Sequence, residues 1–218
     1  MDVPIKNRMV AGEALAEELS NYRDRDDVLV LALPRGGVPV AAEIAKSLEA
    51  GLDLMLVRKL GLPAWEELAM GAIASGGVKV LNDDVISAHG VSDADIEKVA
   101  EKEGRELKRR ETTYRGDRPA PKIEGRCVIL VDDGIATGAT MEAAIDAVRK
   151  QNPGEVVLAV TVAPQETLDR LGKKVDHIAC LATPEPFMAI GKWYRDFGQT
   201  SDDEVRQLLD EAWKREEG

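Results

Sequence analysis

Apolar runs that each lead into a glycine-containing loop and then into a helix pattern constrain the fold of this chain most strongly. Residues 28–33 form an uninterrupted apolar run, and the loop 34–37 with two glycines follows it, which is typical of a strand buried on both faces. Residues 38–48 then place apolar side chains at helical spacing. The same order of strand and helix returns at residues 127–150 and at residues 156–171.

These alternating patterns predict the fold class. The remaining predicted elements are strands at 54–57 and 177–181, a hairpin of 68–74 and 78–81, a charged helix from Ser92 to about Arg110, and a last helix capped by Ser201 and Glu204. Strands that alternate with helices form a mainly parallel sheet with helices on both faces, so we expect an α/β fold. Ligands of such sheets bind beyond the carboxyl ends of the strands, which directs attention to the loops that follow them.

Composition limits the classes of partner and the location. The 218 residues predict a single domain, 1–218, and the net charge of -11 opposes nonspecific binding to nucleic acid and to anionic membranes. Both cysteines lie inside apolar runs, which is typical of reduced interior residues. The first residues lack the apolar stretch of a signal peptide, and no apolar run is long enough to cross a bilayer. We therefore expect a cytoplasmic protein that binds neither nucleic acid nor membranes.

The loop after the apolar strand 128–131 carries the strongest functional pattern. Two adjacent carboxylates, Asp132 and Asp133, precede a short loop with glycines and threonines, and a helix follows directly. Free N–H groups at a helix start, the helix dipole and threonine hydroxyls suit a phosphate monoester. Paired carboxylates beside them can accept hydrogen bonds from sugar hydroxyls and hold a hydrated Mg²⁺. The pattern indicates a ribose 5-phosphate site, and the simpler alternative is a solvated strand end beside a helix cap.

Residues 128–140 are similar to the phosphoribosyl pyrophosphate (PRPP) motif of the type I phosphoribosyltransferases: four apolar residues, two acids, and a loop that ends in Thr-Gly-x-Thr. The similarity covers a core of about residues 28–181 and resembles in particular the uncharacterised bacterial and archaeal members. It implies that Asp132 and Asp133 bind the ribose hydroxyls and Mg²⁺, for which water could mediate the contact. The residues that it implies for the 5-phosphate are Ala136, Thr137, Gly138, Ala139 and Thr140.

The loop after the first strand resembles the pyrophosphate loop of this family. Glycines let backbone amides approach an anion, and an arginine adds a charged donor. Two further cations, expected at the end of the next strand, would give the pyrophosphate a second partner. The predicted pyrophosphate-binding residues are Arg35, Gly36, Gly37, Arg58 and Lys59. Arg35, together with the two acids of the motif, is also predicted to be catalytic, whereas an ordinary turn and two surface charges are the simpler interpretations.

The resemblance also implies a flap and a base pocket. The flap would be the insertion 61–122, which would close over PRPP and exclude water. The base pocket, called the hood, would be formed by residues 182–200 and the N-terminal segment, with a helix at about 202–216 behind it. Four of the eight aromatic residues lie in this stretch and could stack on a base, and the predicted base-binding residues are Phe187, Trp193 and Tyr194. Packing of these rings against the core is the alternative.

The resemblance implies a Mg²⁺-dependent phosphoribosyltransferase, a homodimer of nucleotide salvage, that transfers the 5-phosphoribosyl group of PRPP to a nitrogenous acceptor and releases pyrophosphate. Six-oxopurine enzymes have an acid where this chain has Ala136, and a lysine where it has Val162-Ala163-Pro164. Both departures disfavour hypoxanthine, guanine and xanthine as acceptors. A non-catalytic PRPP or nucleotide sensor is the alternative function, and a hydrolytic or phosphorolytic activity on a ribosyl phosphate is more distant.

Overall fold

The computed structural model describes residues 3–216, so the termini of the predicted domain 1–218 lie outside the described residues. The strands are β1 (Val28–Ala32), β2 (Gly51–Leu54), β3 (Val57–Leu62), β4 (Trp65–Ala74), β5 (Val78–Leu81), β6 (Cys127–Asp132), β7 (Glu155–Val162) and β8 (His177–Ala182). The α-helices are α1 (Arg8–Glu18), α2 (Gly37–Leu48), α3 (Asp83–His89), α4 (Asp93–Arg115), α5 (Ala139–Arg149), α6 (Gln165–Leu171) and α7 (Asp202–Glu216). Among the residues described, no helix is both long and apolar enough to span a membrane.

A five-stranded sheet in the order β2-β1-β6-β7-β8 forms the centre of the fold, and all of its strand pairings are parallel. Side chains of β1 alternate between two hydrophobic clusters. Val28 and Val30 join the cluster that includes residues of α1, α2 and α7, whereas Leu29 and Leu31 join the cluster that includes residues of α5 and α6. Helices therefore cover both faces, which explains the continuous apolar runs and confirms the predicted α/β fold.

A second sheet belongs to the segment between β2 and β6. It is antiparallel, in the order β3-β4-β5, and α3 and α4 follow it. The predicted hairpin is confirmed: β4 and β5 are joined at residues 75–77, where Gly76 and Gly77 have positive φ values of 83° and 73°. The predicted strand at 54–57 was wrong, because β2 ends at Leu54 and β3 begins at Val57. Met55 and Leu56 are buried between the sheets, so the apolar run continues while the chain changes sheet.

A buried ion pair fixes the far end of this insertion to the central sheet. Arg115, the last residue of α4, donates from Nε to Asp53 Oδ1 at 2.6 Å and from Nη2 to the Leu54 carbonyl at 2.7 Å. The side chains of Arg115 and Asp53 are only 4% and 5% exposed. The end of α4 is therefore anchored to β2, whereas the role of the insertion as a flap stays a prediction.

The two ends of the chain meet beside the central sheet. The Ile5 amide donates to the Trp193 carbonyl at 2.7 Å, and the Arg195 amide donates to the Ile5 carbonyl at 2.8 Å. The last helix, α7, has nearly the bounds predicted for it, and the Trp213 indole donates to the Leu52 carbonyl of β2 at 2.9 Å. The N-terminal segment thus contacts the segment predicted to form the hood.

Candidate functional site

The predicted pyrophosphate loop and the acid pair lie against each other. Strands β1 and β6 are neighbours, so the loops at their carboxyl ends converge. A Cβ at Gly36 would lie 2.1 Å from Asp133 Oδ2, and a Cβ at Gly37 would lie 2.7 Å from the Val131 carbonyl oxygen and 3.0 Å from Asp132 Cα. Only glycine fits at these two positions without displacing the acids. Two patterns that are about a hundred residues apart in the sequence therefore form one site, whose first loop includes a cis peptide bond between Pro34 and Arg35.

The loop between the acid pair and α5 has the backbone geometry that its glycines predict. Gly138 has φ 75°, and a Cβ there would lie 2.8 Å from Thr167 Cγ2 of α6. Thr167 Oγ1 donates to the Ala136 carbonyl at 2.9 Å, so α6 supports the loop from below. Four of the five predicted 5-phosphate residues are exposed: Ala136, Thr137, Ala139 and Thr140. Because the first N–H groups of a helix lack partners within the helix, the start of α5 can donate to an anion here.

The two carboxylates differ in their surroundings. The Asp133 amide donates to Asp132 Oδ1 at 2.8 Å, and Arg8 Nε donates to Asp133 Oδ2 at 2.7 Å. Burial, and then the charge of Asp133, raise the pKa of Asp132 well above its usual value. Asp133 therefore has a cationic partner, whereas ionisation of Asp132 costs stability in the free protein. Groups perturbed in this way are typical of functional sites.

We predict that Asp132→Asn stabilises the protein at neutral and higher pH. A raised pKa in the folded state means that ionisation costs stability as pH rises from about 4, the unfolded value, through the folded value. Asparagine avoids this cost, so the gain is largest above the folded pKa and vanishes near pH 4. A gain of about 1 kcal/mol raises the midpoint of thermal unfolding by about 2–4 °C in a chain of this size. Unfolding curves from pH 4 to 8, with the exposed Asp210→Asn as control, measure it, and a gain independent of pH contradicts the assignment.

Arg8 is the residue of this site that the sequence interpretation missed. Besides Asp133, its guanidinium group donates from Nη1 to the Gly198 carbonyl at 2.6 Å and lies 4.0 Å from the centre of the Phe197 ring. The Asn7 side chain accepts from the Val10 amide and caps α1, which makes Arg8 the first residue of that helix. The cap is a signal in the sequence, but nothing in it indicates a carboxylate 125 residues away. Arg8 joins the acid pair to the hood.

Tyr194 does not occupy a position suited to base stacking, which corrects the prediction made for it. Its side chain is 5% exposed, and its hydroxyl lies 2.7 Å from the Asp133 carbonyl oxygen and 2.6 Å from Thr161 Oγ1. Burial raises the pKa of the phenol, so the hydroxyl stays protonated and able to donate. Tyr194 therefore supports the backbone of the acid pair. Phe187 and Trp193 are half-buried and pack against the core, and their role in base binding stays a prediction.

Arg58 and Lys59 are not at the end of a parallel strand, because the chain has already entered the second sheet. Arg58 donates to Glu103 of α4 at 2.9 and 2.6 Å. Lys59 donates to the Glu67 carbonyl at 2.9 Å and lines a cavity of about 680 Å³ that also borders Thr140. The structure therefore brings Arg35, the two glycines and the acid pair together, whereas Arg58 is held by an acid of its own insertion.

A central parallel sheet with an acid pair at one strand end, a glycine loop beside it and an open helix start after it defines an α/β protein of the sugar-phosphate-binding class. The family model described as "Phosphoribosyl transferase domain" matches residues 4–185. The chain therefore belongs to the phosphoribosyl transferase domain family. This confirms the resemblance drawn from residues 128–140 and the predicted enzyme class at the level of the family.

Known proteins support this placement. The chain is 48% identical over 202 residues to a Mycobacterium tuberculosis protein named "Putative phosphoribosyl transferase Rv0571c", and the match covers 93% of this chain but 45% of that protein. The chain thus spans about half the length of the curated relatives it matches. The crystal structure of TT1426 from Thermus thermophilus is 41% identical, with a TM-score of 0.84 over 95% of this chain and 98% of that one. The AQ2163 protein from Aquifex aeolicus is 13% identical with a TM-score of 0.52, over 93% of this chain and 84% of that one, and shares the fold.

Proposed function

We propose that this chain transfers the 5-phosphoribosyl group of PRPP to a nitrogen of a nucleobase-like acceptor and releases pyrophosphate. The observation that carries the proposal is the contact of Gly36 with the Asp133 carboxylate, where a Cβ would lie 2.1 Å away. It makes the pyrophosphate loop, the acid pair and the 5-phosphate loop neighbours along one edge of the sheet. A single PRPP molecule carries its pyrophosphate, ribose diol and 5-phosphate in the same order.

Each part of PRPP then has a partner of suitable chemistry. The exposed residues at the start of α5, including Thr137 and Thr140, would bind the 5-phosphate. Asp132 would accept hydrogen bonds from the ribose hydroxyls, with Asp133 held beside it by Arg8. Backbone amides of Gly36 and Gly37 and the guanidinium group of Arg35 would bind the pyrophosphate.

The reaction is a substitution at C1 of the ribose. A nitrogen lone pair of the acceptor forms the new bond to C1, the bond from C1 to the pyrophosphate oxygen breaks, and its electron pair leaves with pyrophosphate while the acceptor nitrogen loses its proton. Charge on the leaving group grows as the bond breaks, so fixed donors around it lower the barrier. The protein contributes mainly position and electrostatic stabilisation, since PRPP is already activated.

The acid pair fits Mg²⁺ that arrives with the substrate. Among the described residues, no group of three or more metal-binding side chains is present. Asp132 Oδ1 and Asp133 Oδ2 each accept one hydrogen bond within the protein, and each carboxylate has a second oxygen that could face a hydrated ion. Mg²⁺ commonly takes one or two carboxylates together with phosphate oxygens and water, and it would neutralise charge on the pyrophosphate.

The flap and the dimer remain part of this proposal. Because the Arg115–Asp53 ion pair fixes the end of α4, any closure of the insertion over PRPP would involve the parts farther from Arg115. A closed insertion would keep water from the activated sugar. The mass of the protein in solution, measured by light scattering, tests the homodimer.

Turnover of PRPP with a panel of bases tests the function. We expect release of pyrophosphate and formation of a nucleotide with at least one of adenine, orotate and uracil in the presence of Mg²⁺. Hypoxanthine and guanine should react about tenfold more slowly or worse, because an unpaired buried carbonyl costs about 1–3 kcal/mol and Ala136 and Val162-Ala163-Pro164 offer no side-chain donor for it.

Each outcome of the panel separates the candidate functions. The Asp132→Asn/Asp133→Asn variant is the control for contaminating activity. Efficient turnover of hypoxanthine would contradict the acceptor prediction and leave the transferase proposal standing. PRPP binding without turnover of any base would overturn the transferase proposal in favour of a sensor.

A further inference from the structure

We propose that the pyrophosphate end of the ligand is bound between Arg35 and two arginines of the insertion, Arg109 and Arg110 of α4. This inference rests on the proposed function and deepens it, because it names the second cationic wall of the pyrophosphate subsite. In the sequence interpretation that wall was assigned to Arg58 and Lys59. Arg58 is paired with Glu103 inside the insertion, so the wall must come from elsewhere.

The structure contains a pocket of suitable size in the right place. A cavity of about 340 Å³ lies between the loop that carries Arg35 and the C-terminal half of α4. Arg109, Arg110 and Tyr114 line it from α4, and Asp202 lines it from the start of α7. The cavity therefore extends directly from the predicted pyrophosphate loop, and all three arginines reach solvent.

The charges in this pocket oppose the overall charge of the protein. The chain has a net charge of -11, yet three arginines meet here. Arg109 and Arg110 both donate to Glu106, which holds the pKa of that carboxyl at about 2 and fixes both guanidinium groups on one side of α4. With Glu106 and Asp202 counted against the three arginines, the cluster keeps one positive charge. Guanidinium groups are well suited to phosphate oxygens because they offer two parallel donors.

An acid already occupies the place of an anion beside Arg35. Asp202 Oδ1 lies 3.6 Å from Arg35 Nη1 and accepts a hydrogen bond from the Tyr114 hydroxyl at 2.7 Å. A carboxylate held near a guanidinium group by an aromatic hydroxyl presents the same oxygen chemistry as a phosphoryl group. Pyrophosphate would therefore compete with Asp202 for Arg35 and gain Arg109 and Arg110 as further partners.

Calorimetric titration with magnesium pyrophosphate and, separately, with ribose 5-phosphate tests the inference. For Arg109→Ala/Arg110→Ala we expect pyrophosphate affinity to fall by about tenfold or more, equivalent to about 1.4 kcal/mol, with ribose 5-phosphate affinity unchanged. Arg35→Ala should show the same selectivity. The matched control is Lys108→Ala, an exposed cation on the same helix that does not line the pocket. Thermal unfolding of each variant checks that it is folded.

Asp202→Asn provides the opposite sign. It removes the competing charge and keeps an oxygen for Tyr114, so we expect pyrophosphate to bind several-fold more tightly. Unchanged pyrophosphate affinity in the double arginine variant, an equal loss for both ligands, or no pyrophosphate binding by the unmodified protein would overturn the inference. These titrations need no turnover, so a failed base panel overturns the transferase proposal without deciding the pyrophosphate subsite.

Discussion

Replacing both Asp132 and Asp133 by asparagine is expected to weaken PRPP binding by at least about a hundredfold. Each hydrogen bond from a ribose hydroxyl to a carboxylate contributes about 1.5–3 kcal/mol, so the loss of two gives this factor or more. The variant also removes the charge that Arg8 meets at Asp133 Oδ2. Calorimetry with PRPP and Mg²⁺ measures the effect.

The controls for this experiment separate lost binding from lost structure. Asp210→Asn removes an exposed carboxylate of α7 and should bind PRPP like the unmodified protein. The double variant should remain folded, because asparagine at 132 can still accept from the amide of residue 133 and no longer repels a neighbouring charge. Unmodified affinity in a folded double variant would refute the assignment of the acid pair to the ribose.

Replacing Arg115 by methionine is expected to lower the free energy of unfolding by about 3–5 kcal/mol, the usual cost of removing one partner of a buried ion pair. Asp53 would be left 3% exposed, with only the Leu54 amide as a partner on its own strand. Burial already raises the pKa of Asp53 in spite of Arg115, so the loss of that cation should raise it further. Urea-induced unfolding, followed by circular dichroism, measures the change.

A second variant decides whether the buried charge is the cause. Asp53→Asn/Arg115→Met carries no isolated charge and should recover part of the stability that Arg115→Met loses. Lys108→Met, a change at an exposed position of α4, should alter stability by about 0.5 kcal/mol or less. A loss for Arg115→Met no larger than this control would show that the ion pair does not anchor the insertion.

Local patterns in the sequence predicted much of the fold and part of the site. Continuous apolar runs predicted buried parallel strands, because residues of β1 have to fill clusters on both faces of the sheet. Gly36, Gly37 and Gly138 indicated loops that approach other groups closely, and each would collide with a neighbour if it carried a side chain. The order of acids, loop and helix at residues 128–140 predicted the strand end and helix start that β6 and α5 form.

The insertion shows where a local pattern fails. Residues 54–57 are apolar because both the end of β2 and the start of β3 are buried, so hydrophobicity alone could not reveal the change of sheet. That change decides the partners of Arg58 and Lys59, which lie inside β3 next to acids of their own insertion. It also places α4, and with it Arg109 and Arg110, beside Arg35.

The sequence by itself determined the elements, their order, the glycine loops and the acid pair, because each depends on backbone geometry and on the periodicity of neighbouring residues. Only the tertiary structure decided which side chains meet across those elements. Arg8 reaches Asp133 across 125 residues, and Tyr194 turns its hydroxyl to the backbone of that acid instead of offering its ring to a base. Such contacts depend on how whole elements pack against each other, which no local spacing encodes.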